Sequence, residues 1–288
     1  MVIIDFNQLV ISNVMAQIGN HTNIKIEEDL VRHMVLNKIR VIRQMYKQGV
    51  YGNIVVACDG KNNWRRVVFP QYKASRRSAR NASDFDWDSI FEILNKIRDE
   101  LMNNFGYIVI HMDGAEADDI IASLVLEYGV DLNTEDAERI VIVSGDKDFV
   151  QLQRFANVQQ YDPVKNRVIK ESNPIFFVKQ HIIKGDKGDG VPNILSSDNC
   201  FVEGVRQRKI TEKFIREFDY ESQPEDVQRN YKRNELLIDL TKVPDDIQQK
   251  TLSTYASEQK TILFRKQKMF NYFISYRLKN LMEHVGEF

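Results

Sequence analysis

Asp146 and Asp148 follow an apolar run in RIVIVSGDKDF (residues 139–149), separated from it only by Ser144-Gly145. Ile140 to Val143 reads as a buried strand ended by a turn. A parallel strand buried on both faces delivers its next residues to one rim of the sheet, where open α/β folds bind ligands. Two carboxylates two residues apart on that rim repel each other unless a cation sits between them. The arrangement recurs along the chain. Val2-Ile3-Ile4 runs into Asp5, Asn53 to Cys58 runs into Asp59 and a glycine, and Tyr107 to His111 is followed by Glu116, Asp118 and Asp119. Asp186 and Asp189, in the turn from Gly185 to Pro192, add a fifth group.

Oxygen donors without thiolate or imidazole suit hard cations, magnesium or manganese above all. Two such ions roughly 3.5–4 Å apart can activate a water and stabilise the leaving oxygen in phosphodiester cleavage. A single Asp after a strand is ordinarily a helix cap or turn residue, and Asp84, Asp245 and Asp246 are read that way. Four successive strand ends are much harder to obtain from capping. The spacing and twelfth-position Glu of an EF-hand are missing, as are a G-x-G-x-x-G motif, a Walker loop and a nucleophile elbow. Cys58 reads as core packing and His111 as a structural strand residue.

A second feature lies between Gly60 and Ser83. Seven basic residues (Lys61, Arg65, Arg66, Lys73, Arg76, Arg77, Arg80) stand there with no acidic one, so the net charge of −1 leaves about −8 on the rest of the chain. A solvated loop is the plain alternative. Interleaved Trp64, Phe69 and Tyr72 favour phosphate contacts and base stacking instead. Pro70 and the Ser/Ala/Asn-rich tail from Ala74 to Ser83 predict a mobile or partly ordered loop. A basic-aromatic helix from about Thr261 to Met282, with Lys260, Arg265, Lys266, Lys268 and Arg277, reads equally as a solvated face or a second nucleic-acid contact.

The elements that must position these groups alternate. Helical spacing predicts a helix over 27–48, and another capped by Ser83-Asp84 and running to about Phe105. Val158 to Tyr161 and Arg167 to Ile169 read as a hairpin or edge strands, and Phe176 to Ile183 as a short helix. Helices are expected at Thr211–Phe218, Glu225–Leu240 and Asp245–Glu258. The alternation predicts an α/β fold: a mostly parallel central sheet flanked by helices, followed by a helical C-terminal region. At 288 residues, 43% hydrophobic and 28% charged, the chain has the composition of an ordinary globular protein. No apolar run is long enough to span a bilayer, and MVIIDF reads as a strand start rather than a charged leader. Two cysteines allow no disulfide framework beyond one bridge and suggest no zinc cluster, so a reducing, cytoplasmic setting is expected.

VIIDF, VVACDG, the W-R-R…Y-K-x-x-R pattern from Trp64 to Arg77, EADDIIA, VSGDKDF and KGDKGDGVP together resemble the motifs of the 5′ nuclease (flap endonuclease-like) family, in family order. NELLIDLTKVPDDI resembles its phage branch. The resemblance implies a PIN/5′ nuclease-like domain over 1–183, with a basic arch at 60–83, and a helical region over 184–288 holding a modified helix-turn-helix. It implies Asp5, Asp59, Glu116, Asp118, Asp146 and Asp148 as principal ligands of two Mg2+ ions, Mn2+ substituting. Asp119, Asp186 and Asp189 would bind metal directly or through water. Lys73 is similar to the family's active-site lysine, which steers the scissile phosphate. Arg65, Arg66, Arg76, Arg77, Arg80 and Lys187 would contact nucleic acid, and Tyr72 would stack on a base.

Where the family usually carries a glycine hairpin, Asn193 to Val202 is a polar insertion followed by Glu203-Gly204-Val205-Arg206. Arg206, Arg208 and Lys209 are expected to substitute for the hairpin's backbone contacts. The implied activity is a metal-dependent 5′→3′ exonuclease with flap cutting, degrading the RNA of RNA–DNA hybrids and duplex DNA to remove lagging-strand primers in phage replication. The implied setting is a monomer in the host cytoplasm, beside a single-strand-binding protein and a sliding clamp, with no membrane. The chain starts almost at its first strand, so no N-terminal tail is expected for the clamp. A PIN-type endoribonuclease shares the carboxylate-rimmed sheet, and a non-catalytic nucleic-acid-binding accessory protein would not need the full carboxylate set.

Overall fold

A computed structural model describes residues 1–18, 26–83, 85–132, 137–262 and 268–288, without the side chains of residues 17, 18, 77 and 78. Its centre is β1 (Val2–Asp5), flanked by β2 (Ile54–Cys58) and β4 (Ile140–Val143). With β3 (Ile108–His111), β5 (Val158–Asp162) and β6 (Arg167–Ile169) they form one six-stranded sheet in the order β3-β2-β1-β4-β5-β6. The first five strands are parallel, and β6 turns back antiparallel on β5 as an edge hairpin. The chain steps outward from β1 to β3, then crosses back to lay β4 on the other side of β1. Strand order therefore reverses between β1 and β4, the place where such sheets open a ligand crevice.

Alternation along each strand divides the core. Val2, Ile4, Ile54 and Val56 face one layer, while Ile3, Val55, Ile140 and Ile142 face the other. The first layer holds α1 (Phe6–Ile18), α2 (Glu28–Met45) and α6 (Trp87–Asn104). Between them come the short α3 (Gln48–Tyr51), α4 (Trp64–Val68) and α5 (Ala74–Asn81). The second layer holds α7 (Ala117–Tyr128) and a 3-10 helix at Lys147–Arg154. Then come α8 (Pro174–Lys184), α9 (Glu212–Glu217), α10 (Glu225–Ile238), α11 (Asp245–Gln259), α12 (Met269–Ser275) and α13 (Lys279–Met282). The C-terminal helices return to cover both faces. Ile247 and Tyr255 of α11 join the α7 layer, and Met269, Phe273 and Leu281 join the α2–α6 layer.

Several local expectations differ from the structure. Helix α1 begins at Phe6, directly after Asp5, where the sequence pattern predicts none. The arch is not a loop but carries α4 and α5, because Asn63 caps α4 through the Arg65 amide and Arg80 lies over the Phe91 ring at 5.0 Å. Asp86 caps α6, and Asp84 lies outside the described residues. The basic-aromatic C-terminal helix is broken after Ser275, where Arg277 takes a φ of +53°. Arg265 and Lys266 lie outside the described residues. No described helix is long and apolar enough to cross a membrane.

A buried ion cluster ties α12 to the sheet layer. Arg32 of α2 is fully buried and grips Glu100 of α6 with two hydrogen bonds of 2.8 Å. The Tyr272 hydroxyl donates to the same carboxylate at 2.7 Å. Removing one partner of such a pair leaves an uncompensated buried charge. Arg32→Met is therefore expected to cost about 3–5 kcal/mol in urea unfolding. A loss below about 1 kcal/mol, the range of a surface pair, would show that the cluster is not what joins these helices.

Candidate active site

The strand exits converge. Asp5, Asp59, Asp118, Asp146, Asp148, Asp186 and Asp189 line one cleft of about 510 Å³, together with Lys73, Arg76 and Arg80. Capping and convergence turn out to be the same geometry. Asp5 accepts from the Gln8 amide at 3.1 Å, in the first turn of α1, and from the Ser144 hydroxyl at 3.0 Å. Asp59 accepts from the Ala117 amide at 2.8 Å, at the start of α7. Asp146 accepts from the Asp148 amide at 2.9 Å and caps the 3-10 helix. Helix N-termini favour negative charge, so each cap fixes a carboxylate at the rim at little cost. Gly60 lets β2 exit close to β3's turn, since a Cβ there would lie 1.8 Å from the Met112 carbonyl oxygen.

Charge in the cleft exceeds what the protein cancels. Burial, then the neighbouring Asp59, pushes Asp5 up to about 7. Burial and Asp146 do the same for Asp148, also to about 7, and hold Asp118 well above the ordinary range. One buried oxygen of Asp148 has no hydrogen-bond partner. Carboxylates so placed fit divalent cations. Asp148, His181 and Asp186 offer ligand atoms lying within 4.8 Å of one another.

The cationic side is built from the arch. Lys73 Nζ lies 2.7 Å from Glu116 and 3.6 Å from Asp189. Burial would lower its pKa, but Glu116 and Asp189 raise it. Its backbone takes a φ of +55°, and its amide donates to the Asp189 carbonyl at 2.7 Å. Gly190 sits opposite at φ +73°, where a Cβ would press on the Gln71 carbonyl at 3.0 Å. The GDGVP turn and the arch base are thus stitched together around the lysine. Strain of this kind persists only where the surroundings over-determine it.

Three expectations need correction. Arg65 is 2% exposed, pairing with Asp119 at 2.8 Å and donating to the Leu237 carbonyl at 3.0 Å, so it is part of the wall rather than a nucleic-acid contact. Asp119 is fully buried, ion-paired with Arg65 and accepting from the Trp64 indole and the Glu116 amide, and it lies in the wall behind the cleft rather than on its lining. Tyr72 is buried and its hydroxyl contacts Glu116 at 3.0 Å and Asp189 at 2.9 Å, so its ring has no free face for a base. Both oxygens of Glu116 are engaged, by Lys73 and by Tyr72. Burial opposes its ionisation, yet Lys73 and Arg65 hold its pKa below the ordinary value. It pairs with Lys73 as Asp189 pairs with Arg76, and such pairing does not exclude either carboxylate as a metal ligand.

Arg66, Arg76, Arg80 and Lys187 are exposed, and Arg76 pairs with Asp189. The Arg77 side chain lies outside the described ones. Arg206 and Arg208 line a separate cleft of about 370 Å³ with Arg229, and Lys209 is exposed beside them. The insertion there is organised by Asn193, whose side chain donates to the Arg208 carbonyl at 2.8 Å, and by Asn230, which donates to the Ile194 carbonyl at 2.9 Å. Sequence reasoning missed His181. It has no motif spacing of its own, and its one signal is its place in the last turn of α8, just before the GDKGD turn.

A parallel sheet with its switch point rimmed by acids, facing a basic arch, defines a metal-dependent nuclease of the 5′ nuclease class. The comparisons agree. The 5′-3′ exonuclease N-terminal resolvase-like domain matches residues 1–182, and the T4 RNase H C-terminal domain matches residues 173–288. The chain is 32% identical to the ribonuclease H of Enterobacteria phage T4 over 99% of its own length and 95% of the phage protein. It is 29% identical to a 5′-3′ exonuclease of Buchnera aphidicola over 49% of its length and 47% of that protein. The chain belongs to the 5′-3′ exonuclease family, with a C-terminal region of the T4 RNase H type, and is a phosphodiester hydrolase.

Solved structures share the fold. A bacteriophage T5 protein co-crystallised with metal ions superposes with a TM-score of 0.61 at 17% identity, covering 92% of this chain and 98% of that one. The T5 flap endonuclease in a complex with DNA and metal ions gives 0.61 at 16% identity, covering 90% of this chain and 98% of that one.

Proposed function

We propose that the protein is a Mg2+-dependent 5′→3′ exonuclease with flap endonuclease activity. It degrades the RNA of RNA–DNA hybrids and duplex DNA, clearing primers from lagging-strand fragments in the cytoplasm of a phage-infected cell. One observation carries the reading: carboxylates from four successive strand exits share a single cleft with Lys73 and the arginines of the arch. Asp5, Asp59, Glu116, Asp118 and Asp146, with Asp148, Asp186 and Asp189, would hold two Mg2+ ions, or Mn2+ in their place. Bound there, the ions would supply the charge that activates water and steadies the leaving oxygen.

The chain's own groups do the rest. Arg76 and Arg80, on the cleft wall, draw the phosphodiester backbone inward. Lys73, held by Glu116, places an ammonium against the charge that develops on the scissile phosphate. Residues 1–183, together with Asp186 and Asp189, carry the chemistry, and the rest of 184–288 the duplex contacts through Arg206, Arg208 and Lys209. The protein acts as a monomer alongside a single-strand-binding protein and a sliding clamp.

Lys73→Ala is expected to lower the single-turnover rate on the order of a hundredfold while weakening substrate binding only a fewfold. A weakened affinity with the single-turnover rate unchanged would make Lys73 a binding residue alone. The reading as a whole is tested on a 5′-labelled RNA–DNA hybrid with and without Mg2+. Short 5′ fragments that appear only with metal are expected. Random internal cuts would indicate a PIN-type endoribonuclease, and metal-independent binding without turnover an accessory protein.

A further inference from the structure

Arg43, in the last turn of α2, is a buried cation with no anion beside it among the described residues. Its Nη1 donates to the Gly52 carbonyl at 2.9 Å and to the Tyr46 carbonyl at 3.4 Å, both neutral. Its Nε is buried without a hydrogen-bond partner. Two other buried arginines differ, since Arg32 has Glu100 and Arg65 has Asp119, each at 2.8 Å. Burial lowers the Arg43 pKa, and what opposes this is the nearby Tyr107 hydroxyl rather than a carboxylate. The Met1 ammonium feels the charge of Arg43, and Glu138 pairs with Met1 at 2.7 Å instead of with the guanidinium. The Tyr107 hydroxyl, just ahead of β3, is a second donor buried without a partner. Both residues line one cavity of about 180 Å³, whose wall also includes Ile262, Met269 and Phe288. Gly52 and Tyr107 precede β2 and β3, so the cavity lies at the strand entries, the pole of the sheet opposite the acidic cleft.

We propose that this cavity binds a small monocarboxylate with an aromatic or branched apolar body, its carboxylate on Arg43 and Tyr107. Nε and Nη2 form an edge of the guanidinium that takes a carboxylate bidentately, and in Arg43 that edge is the one left unused. A buried charge is costly until it is paired, so an anion entering here relieves a penalty that the folded chain already carries. The Tyr107 hydroxyl adds a neutral donor beside it. Size sets the body of the ligand. An apolar cavity of about 150 Å³ holds benzene, and Ile262, Met269 and Phe288 give this one an uncharged wall. A hydrated inorganic anion matches the guanidinium but not that wall. The ligand joins Arg43 and Tyr107 of the α/β layers to three residues of the C-terminal region, so its binding stabilises the folded chain.

Benzoate is the probe, titrated calorimetrically into the full chain with Mg2+ present, beside benzyl alcohol as a neutral counterpart and inorganic phosphate as a small anion. Benzoate is expected to bind on the order of tenfold more tightly than either and to raise the melting temperature. Arg43→Met is expected to weaken benzoate binding on the order of tenfold or more, and Tyr107→Phe about fivefold. Tyr107→Phe keeps the ring and deletes a hydroxyl that has no partner, so its fold and its cleavage rate stay those of the wild type. It decides the matter if Arg43→Met does not fold. Absence of benzoate binding overturns the proposal. Unchanged affinity in Tyr107→Phe overturns it too, because the ligand then sits elsewhere, on the arch arginines or the metal. Benzyl alcohol binding as tightly as benzoate would mean an apolar cavity alone, and phosphate binding as tightly a plain anion site; either result overturns the assignment.

Discussion

Asp146→Asn abolishes cleavage while leaving nucleic-acid binding intact: a fall on the order of a thousandfold or more in the single-turnover rate is expected, about 4 kcal/mol of barrier. Asparagine keeps the side-chain oxygen that accepts the Asp148 amide at 2.9 Å, so the cap of the 3-10 helix survives. What is lost is charge. Asp146 is the neighbour whose field raises Asp118 and Asp148 after burial has done so, which places it between the two groups of carboxylates. Removing one negative charge also eases the approach of a phosphate, so affinity for the hybrid should hold or rise. Gel-shift and quenched-flow measurements on one preparation separate the two quantities. Near wild-type rates in Asp146→Asn, or in the matching Asp148→Asn, would sink the assignment of this cleft to catalysis.

Stripped of divalent ions, the protein should lose stability as pH rises from about 4 to about 7, the reverse of ordinary acid denaturation. Asp5 and Asp148 titrate near 7 in the folded chain against an ordinary 3.8, and Asp118 is shifted the same way. In that window the folded state binds more protons than the unfolded one, so stability falls with pH. The expected loss is several kcal/mol in total, since each tenfold change in proton affinity is worth about 1.4 kcal/mol and neighbouring groups share the effect. Asp186 works in the opposite sense. Burial opposes its ionisation, but hydrogen bonds from His181 and Lys147 hold its pKa well below 3.8, so its contribution is lost only in stronger acid. A divalent ion replaces the missing protons. Saturating Mg2+ or Mn2+ should therefore raise the melting temperature strongly at pH 8 and little at pH 5, where protons compete for the same oxygens. Melting curves at pH 5, 6, 7 and 8, in chelator and in metal, test this. Equal stabilisation at pH 5 and pH 8 would mean that the ions do not bind these carboxylates.

The acidic half of the site is legible in the sequence by itself because a strand's exit is a local property. An apolar run such as Ile140 to Val143 followed by Ser-Gly and two acids can only present them at a sheet rim, and four such exits in a parallel sheet share one rim. The same locality specifies the strands and most of the helices. It does not reveal α1, because Asp5 reads as the end of a strand, although its carboxylate is also the cap that starts the next helix.

Only the tertiary structure decided which basic residues face the cleft. Arg65 and Arg66 are neighbours of the same chemistry, yet one is clamped between Asp119 and the Leu237 carbonyl while the other is exposed. Nothing within the arch distinguishes them, because the partners that bury Arg65 lie 54 and 172 residues away. Tyr72 and Asp119 are placed in the wall for the same reason, by partners far away in the chain. A side chain's charge is written in its type, but its burial and its partners exist only once distant segments have packed.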